Sequence, residues 1–198
     1  MKKLIAATAA LLILAALCGC AAAPKKMTIA PAKLTEKEEK MASLLAPNKQ
    51  SIFDFKTDDT IKSIRINRYR LENGQWEPDG GSGHVCDGTS GRIALISDEK
   101  QDRIALQDEN SNGAVTLNLP EGLNAAGMSC ATSYLSKAQS IICEEEIPLK
   151  IQIFTMQDSV SSYDVSFFNQ PERYKQHGDE QYEQVYAVTI TFSQSELS

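Results

Sequence analysis

The sequence is poor in basic residues and in cysteine, and each shortage excludes a class of protein. Its 198 residues hold 20 Lys and Arg against 26 Asp and Glu, which gives a net charge of −6. Because nucleic-acid phosphates call for a basic face, we expect no nucleic-acid partner. Five cysteines are too few for a disulfide scaffold in a chain of this length. The composition is otherwise close to the globular average, and the length suits one domain.

The first twenty residues, MKKLIAATAALLILAALCGC, have the layout of an export signal. Lys2 and Lys3 precede an apolar stretch over residues 4–17, which is shorter than the about 20 residues that a transmembrane helix needs. The stretch fits the apolar region of a secretory signal. Its ending, Leu17-Cys18-Gly19-Cys20, resembles the lipobox of bacterial lipoproteins.

That resemblance implies an address. In the lipoprotein family the lipobox cysteine receives a diacylglyceryl group and the peptide is cut before it. Residues 1–19 would then be a signal peptide, and Cys20 would carry the lipid that holds the protein on the cell membrane or outer membrane, facing the extracytoplasmic side. Two acyl chains bind a bilayer stably, whereas one binds only marginally. An ordinary secretory signal and an uncleaved anchor are the alternatives.

Three cysteines remain after such processing: Cys86, Cys130 and Cys143. At most one disulfide can form among them. Cys143 follows two isoleucines and Cys130 lies in a strand-like stretch, so small buried apolar side chains are the simplest interpretation. A bridge between Cys130 and Cys143 is the alternative.

Residues 20–34 are rich in Ala, Pro and Lys and are interpreted as the lipidated Cys with a flexible tether. A capping box follows, with Thr35 as N-cap and Glu38 at the third helical position. Met41 and Leu44 then recur at helical spacing until Pro47, which predicts one short amphipathic helix at about 36–45. We expect this helix to pack on its own domain, and a partner-binding helix is the alternative.

From Ser51 onward the pattern is that of β-strands. Asn73-Gly74 is a hairpin turn signal that places Leu71 opposite Trp76. A change of phase predicts a bulge near Asn67-Arg68. Strand residues Ile147, Leu149, Ile151 and Ile153 are expected on one face, and the aromatics of 159–174 are expected to pack on the sheet. The fold class is therefore all-β: an antiparallel β-sandwich of about 8–10 strands, preceded by one short N-terminal α-helix, with residues 35–198 as a single domain. A barrel is the alternative.

Residues 79–91, DGGSGHVCDGTSG, form the most unusual stretch. It lacks the lysine of a phosphate-binding loop and a complete nucleophile elbow. His84 and Cys86 would share a face in a strand, so an enzyme or metal site using them is one alternative, with His177 as the other imidazole of the chain. A flexible surface loop is the simpler interpretation.

Residues 108–113, DENSNG, match the opening of a calcium loop, which makes Asp108, Asn110 and Asn112 candidate ligands. Calcium takes six to eight oxygens and usually a carboxylate at the twelfth position, which here is Leu119. An Asn-Gly hairpin turn explains the same residues, so we expect no metal and no cofactor other than the lipid on Cys20.

Arg65, Arg70 and Trp76 are candidate ligand-binding residues, since guanidinium groups recognise acidic glycans or carboxylates and indoles stack on sugars. Ordinary cross-strand pairing is the alternative. No pair of carboxylates indicates acid/base catalysis. The sequence thus predicts a lipid-anchored, non-catalytic extracytoplasmic protein for binding, adhesion or envelope assembly, whose partner is an envelope protein or a glycan. A glycan- or ligand-binding module with a calcium-stabilised loop is the first alternative, and an enzyme using the 79–91 loop is the second.

Overall fold

The structure is a computed structural model, and it describes residues 26–45, 50–98, 100–120, 128–158, 160–175, 182 and 184–197. These residues contain eleven strands and one α-helix. The signal peptide, Cys18, Cys20 and His177 lie outside these residues. The strands are β1 (Thr28–Pro31), β2 (Gln50–Lys56), β3 (Ser63–Glu72), β4 (Gln75–Val85), β5 (Ser90–Ser97), β6 (Gln101–Asp108), β7 (Asn112–Asn118), β8 (Ser129–Tyr134), β9 (Gln139–Ser140), β10 (Glu146–Thr155) and β11 (Gln184–Ser193). The α-helix, α1, is Glu36–Leu45, and two 3₁₀ helices are Val165–Asn169 and Pro171–Lys175.

The strands form two antiparallel sheets that share one apolar core. Sheet 1 has the order β7-β6-β5-β2-β1-β9 and sheet 2 the order β4-β3-β11-β10-β8. The rings of Phe55 on sheet 1 and Phe192 on sheet 2 meet with centroids 5.5 Å apart. Alternate residues of both sheets, among them Ile64, Ile93 and Ile190, are fully buried between them. The prediction of an all-β, antiparallel fold is confirmed.

The β3–β4 hairpin forms where the Asn73-Gly74 signal predicts it. Asn73 and Gly74 both have positive φ, at 50° and 78°, as a tight two-residue hairpin turn demands. Leu71 and Trp76 are therefore direct partners across the hairpin, as expected. Farther along, the register shifts between Asn67 and Tyr69, close to the predicted bulge, but the additional residue belongs to β4.

Strand β1 corrects the interpretation of residues 20–34 as a tether. Thr28–Pro31 pairs with β2 on one side and β9 on the other, and Ile29 is completely buried in the core. Four residues with one inward side chain are too short for any sequence period to show. The folded domain thus begins before residue 35.

Helix α1 is attached to sheet 1 through polar contacts. Its capping box has both hydrogen bonds: Thr35 N donates to Glu38 Oε2 at 2.8 Å, and Glu38 N donates to Thr35 Oγ1 at 3.3 Å. Arg92 on β5 donates to both Glu38 and Asp54, and the hydrogen bonds from Thr35, with that from Arg92, lower the pKa of Glu38 to about 2.

The expectation that the apolar positions of the helix pack on their own domain is wrong for Met41 and Leu44. These side chains are 56% and 78% exposed. The acidic first turn holds the helix to Arg92 instead, so its apolar positions remain at the surface.

Strand β10 changes face within its length, which corrects the expectation that its four alternating aliphatic residues share one face. The register shifts between Pro148 and Lys150. Before the shift, Ile147 pairs with Ile190 and points toward sheet 1; after it, the inward partner of Val188 is Lys150. A bulge of this kind leaves no trace in a sequence period. Beyond Pro148, β10 therefore turns Ile151 and Ile153 outward, and it turns Lys150, Gln152 and Phe154 inward.

Candidate functional site

Two loops that the sequence presents as separate sites meet in the structure. His84 near the end of β4 faces the turn between β6 and β7, with its Nε2 2.9 Å from Ser111 Oγ and 3.6 Å from Asp108 Oδ2. Ser111 Oγ also donates to Asp108 Oδ2 at 2.8 Å. We call His84, Asp108 and Ser111 the loop junction. No sequence pattern predicts the loop junction, because β4 and β6 belong to different sheets.

The carboxylate of Asp108 is surrounded by donors rather than by cation ligands. Besides the Ser111 hydroxyl, the backbone N–H groups of Asp87, Asn110 and Ser111 donate to it at 2.9, 3.0 and 2.6 Å. Burial alone would raise the pKa of Asp108, but these hydrogen bonds outweigh it and hold the pKa below its usual range. Two of these N–H groups lie two and three residues after Asp108, which is the geometry of an Asx-type turn.

The other calcium candidates are placed apart from that carboxylate. Asn110 Nδ2 donates to Asp87 O at 2.5 Å, and Asn112 is exposed at the start of β7. Within the described ranges, no group of three His, Cys, Asp or Glu side chains is positioned to hold a metal ion. The arrangement of residues 108–113 is that of a hydrogen-bonded hairpin turn.

The loop junction has the residue types of a serine hydrolase but not their spatial arrangement, in which the imidazole lies between the carboxylate and the nucleophile. In a catalytic triad the carboxylate and the nucleophile contact opposite nitrogens of the imidazole. Here both Asp108 and Ser111 face Nε2 of His84, and Ser111 already donates to the carboxylate. Cys86 is buried, and burial raises the pKa of its thiol, so the reactive thiolate is disfavoured. The contacts join the two sheets at their edge.

The interpretation of residues 79–91 as a flexible surface loop is wrong for their first half, which continues β4 to Val85. Its glycines are required by close approaches. A Cβ on Gly81 would lie 2.6 Å from Ile66 O, and one on Gly83 would lie 2.6 Å from Leu197 Cδ2. A glycine-rich sequence usually indicates a loop, whereas here it marks a crowded edge strand.

A groove of about 450 Å³ runs along the glycines of β4, and we call it the β4 groove. It is lined by Arg65 and Asn67 of β3, by residues 80–83, and by Pro78 and Leu197. Arg65 is exposed. Its guanidinium is therefore available to a ligand in the groove, with amide and hydroxyl groups beside it.

The side chain of Asn67 beside the β4 groove is held by a carboxylate from β10, which lies two strands away from β3. Glu146 Oε1 accepts hydrogen bonds from Asn67 Nδ2 at 2.9 Å, Tyr69 OH at 2.5 Å and Thr189 Oγ1 at 3.2 Å. Burial and the bond to Glu146 raise the pKa of Tyr69 to about 12. These contacts orient Asn67, which a sequence reading does not distinguish from its neighbours.

The other two candidate ligand-binding residues have partners within the domain. Trp76 stacks on Phe168 with centroids 5.1 Å apart, contacts Tyr174 edge-on, and donates its indole N–H to Phe168 O at 2.8 Å. The aromatics of 160–175 thus cover the outer face of sheet 2, as the sequence predicts. Arg70 forms an ion pair with Glu72.

A polar cluster lies between the sheets beyond the bulge of β10. Lys150 of sheet 2 contacts Ser97 and Asp102 of the β5–β6 hairpin, and all three residues are buried. No motif in the sequence predicts this cluster. The one available signal was a lysine in a run of alternating aliphatic residues, at a position that the bulge turns inward.

The three described cysteines are free thiols, with Cys86 buried, Cys143 partly exposed and Cys130 exposed. No helix in the described ranges is long and apolar enough to cross a membrane. No protein-family model, no curated protein and no solved structure matches this chain.

Proposed function

We propose that this protein is a lipid-anchored, non-catalytic β-sandwich on the extracytoplasmic side of a cell envelope, with Cys20 as its lipid attachment site. The lipobox Leu17-Cys18-Gly19-Cys20 carries the proposal. Removal of residues 1–19 takes away two of the 20 basic residues and none of the 26 acidic ones, so the processed chain is more acidic still. An acidic domain is repelled by an anionic membrane surface, and a covalent lipid is then the means of attachment.

The position of β1 supports attachment close to the bilayer. Seven residues lie between Cys20 and Thr28, where β1 begins, so the chain makes eight residue steps from one to the other. A fully extended chain rises at most about 3.6 Å per residue, so this segment reaches about 29 Å at most. The partners of the domain are therefore molecules at the membrane surface or in the adjacent cell wall.

Fatty-acid labelling tests the attachment. The full chain is produced in a bacterium fed an alkyne-tagged fatty acid, together with the Cys20→Ala variant and the matched Cys18→Ala variant. We expect the wild type and Cys18→Ala to carry the label in the membrane fraction and Cys20→Ala to carry none. Labelled Cys20→Ala, or an unlabelled wild type, would contradict the assignment.

The β4 groove supports a more specific binding role, in which the ligand is an acidic glycan. The groove is open, Arg65 is exposed beside it, and the wall residues offer backbone, amide and hydroxyl groups to sugar hydroxyls. A guanidinium binds a carboxylate through two parallel hydrogen bonds, which fixes the orientation of a uronic acid. The volume of about 450 Å³ lies within the usual range of small-ligand sites.

Titration with a galacturonate oligosaccharide tests this role, with the neutral galactose oligosaccharide as the reference ligand. Arg65→Ala should weaken binding by about 10-fold or more, the worth of a charge-assisted hydrogen-bond pair. Arg103→Ala removes an exposed arginine from sheet 1 and should leave the affinity unchanged. Equal binding of the neutral ligand, or equal losses of affinity in both variants, would contradict the groove as the binding site. The titration is repeated with a chelator to detect a contribution of calcium.

A further inference from the structure

The buried polar cluster places an amine against a carboxyl group with no water between them. Lys150 Nζ contacts Asp102 Oδ1 directly, and both side chains are 0% exposed. Lys150 comes from β10 of sheet 2 and Asp102 from β6 of sheet 1, so the contact spans the interior of the sandwich. The strands that carry these residues are among the most extensively paired in the molecule, which holds the two groups together.

A charged pair at this place is poorly accommodated. Asp102 Oδ2 is buried and has no hydrogen-bond partner among the described atoms. Burial lowers the pKa of Lys150, and the nearby guanidinium of Arg68 lowers it further, against the opposing effect of Asp102. A buried ion pair is stabilising only when hydrogen bonds satisfy its remaining donors and acceptors, and here one carboxylate oxygen is left without any. Moving the proton from the ammonium to the carboxylate would remove both charges from this buried site.

We propose that Lys150 and Asp102 condense to a side-chain amide, an isopeptide bond that joins the two sheets covalently. The Nζ lone pair attacks Cγ of the protonated Asp102, the Nζ–Cγ bond forms, and the Cγ–Oδ1 bond breaks. Starting from the ammonium and the carboxylate, the products are one secondary amide and one water molecule, without an oxidant, a reductant or a co-reactant. The product replaces two buried charges by a neutral group.

Ser97 is placed to carry the proton that this step must move. Lys150 Nζ donates to Ser97 Oγ at 3.0 Å, and Ser97 Oγ donates to Asp102 Oδ1 at 2.7 Å. The hydroxyl can thus accept a proton from the attacking nitrogen and give its own to the leaving oxygen. Ser97 is a positioning and relay residue in this step, and the reacting atoms belong to Lys150 and Asp102.

Peptide mass spectrometry of the full chain tests the proposal on the wild type itself. Trypsin cuts after Lys and Arg, so an unlinked chain yields the separate peptides 101–103 and 138–150. The amide blocks cleavage after Lys150 and joins 101–103 to 138–173. We expect this branched peptide, with the summed mass of its two parts less one water, as the main species that contains Lys150. A digest that holds only the separate peptides would overturn the proposal.

The branched peptide also distinguishes the amide from other losses of water. Asp79-Gly80 and Asp87-Gly88 can each lose water by forming a cyclic imide, but this leaves a linear peptide. Lys150→Met and Asp102→Ala should abolish the branched peptide, and the exposed Lys56→Met should retain it.

Ser97→Ala tests the relay. When a chain that is synthesised directly into denaturant, and so has never folded, is then allowed to fold, Ser97→Ala should form the branched peptide at least 10-fold more slowly than the wild type. Ser97→Thr keeps a hydroxyl and should form it at a rate close to that of the wild type. Equal rates for Ser97→Ala and the wild type would exclude the relay.

Discussion

The burial of Ile29 in the four-residue strand β1 can be tested by a single truncation. Ile29→Ala removes three carbon atoms from a side chain that is 0% exposed. At about 0.8 kcal/mol per buried methylene, the lost transfer free energy is about 2.4 kcal/mol. The cavity that remains between the sheets raises the expected loss to about 3–4 kcal/mol. Such a loss is a large share of the 5–15 kcal/mol that is typical of a folded domain.

Urea unfolding, monitored by tryptophan fluorescence, measures this loss in the free energy of unfolding with a probe that lies far from β1. Trp76 is the one tryptophan of the chain and lies under Phe168 on the outer face of sheet 2, whereas β1 belongs to sheet 1. If β1 is part of the cooperative fold, Ile29→Ala should lower the midpoint of unfolding without changing the slope of free energy against urea. All variants lack residues 1–19 and carry Cys20→Ala, so that neither the signal peptide nor the lipid interferes.

The matched control is Ile142→Ala, the same truncation at a side chain that is 54% exposed. We expect it to change the free energy of unfolding by less than about 0.5 kcal/mol, as surface substitutions do. An equally small effect of Ile29→Ala would refute the reasoning, because residues 28–31 would then contribute no more than a tether.

Three further perturbations address other parts of the structure. Phe168→Ala should cost about 3–5 kcal/mol in urea unfolding and shift the emission of Trp76 to longer wavelength, since the indole loses its stacking partner; unchanged emission would contradict the packing of the 3₁₀ helices on sheet 2. Asp108 has a lowered pKa when folded, so its stabilising contribution is present above about pH 4 and is lost as the pH falls through the folded-state value; Asp108→Asn should therefore flatten the decline of stability measured below pH 4, and an unchanged decline would contradict the hydrogen bonding of the loop junction. The pKa of Tyr69 is raised to about 12, so its contribution is present below about pH 10 and is lost toward pH 12; Glu146→Gln should lower that pKa toward 10 without reaching it, because burial remains, and the difference in absorbance titrations against Tyr69→Phe measures the change.

The sequence predicts best those features that local chemistry decides. The β3–β4 hairpin depends on two residues that accept positive φ, and Asn73-Gly74 is the pair that does so most readily. The packing of aromatic side chains on sheet 2 is predictable because residues 160–175 contain many of them. Strand β1 escaped prediction because its register comes from β2 and β9, which lie far away in the chain.

The features missed at the candidate sites depend on contacts between sheets. The bulge of β10 turns Lys150 inward, and the meeting of His84 with Asp108 requires two strand ends to be adjacent in space. Neither feature produces a hydrophobic periodicity or a motif in the sequence. The glycines of β4 suggest a flexible loop where there is a strand, since Gly81 and Gly83 make room for neighbouring atoms instead of providing flexibility.

Strand β1 also determines how a mechanical load would enter the molecule. It is the first strand after Cys20, and it is bonded on both sides, to β2 and to β9. Ladder hydrogen bonds run perpendicular to their strands, so a pull from the membrane along β1 would strain all of them in shear at once and not unzip them one after another. The protein would thus resist traction at the end of the chain that its lipid holds.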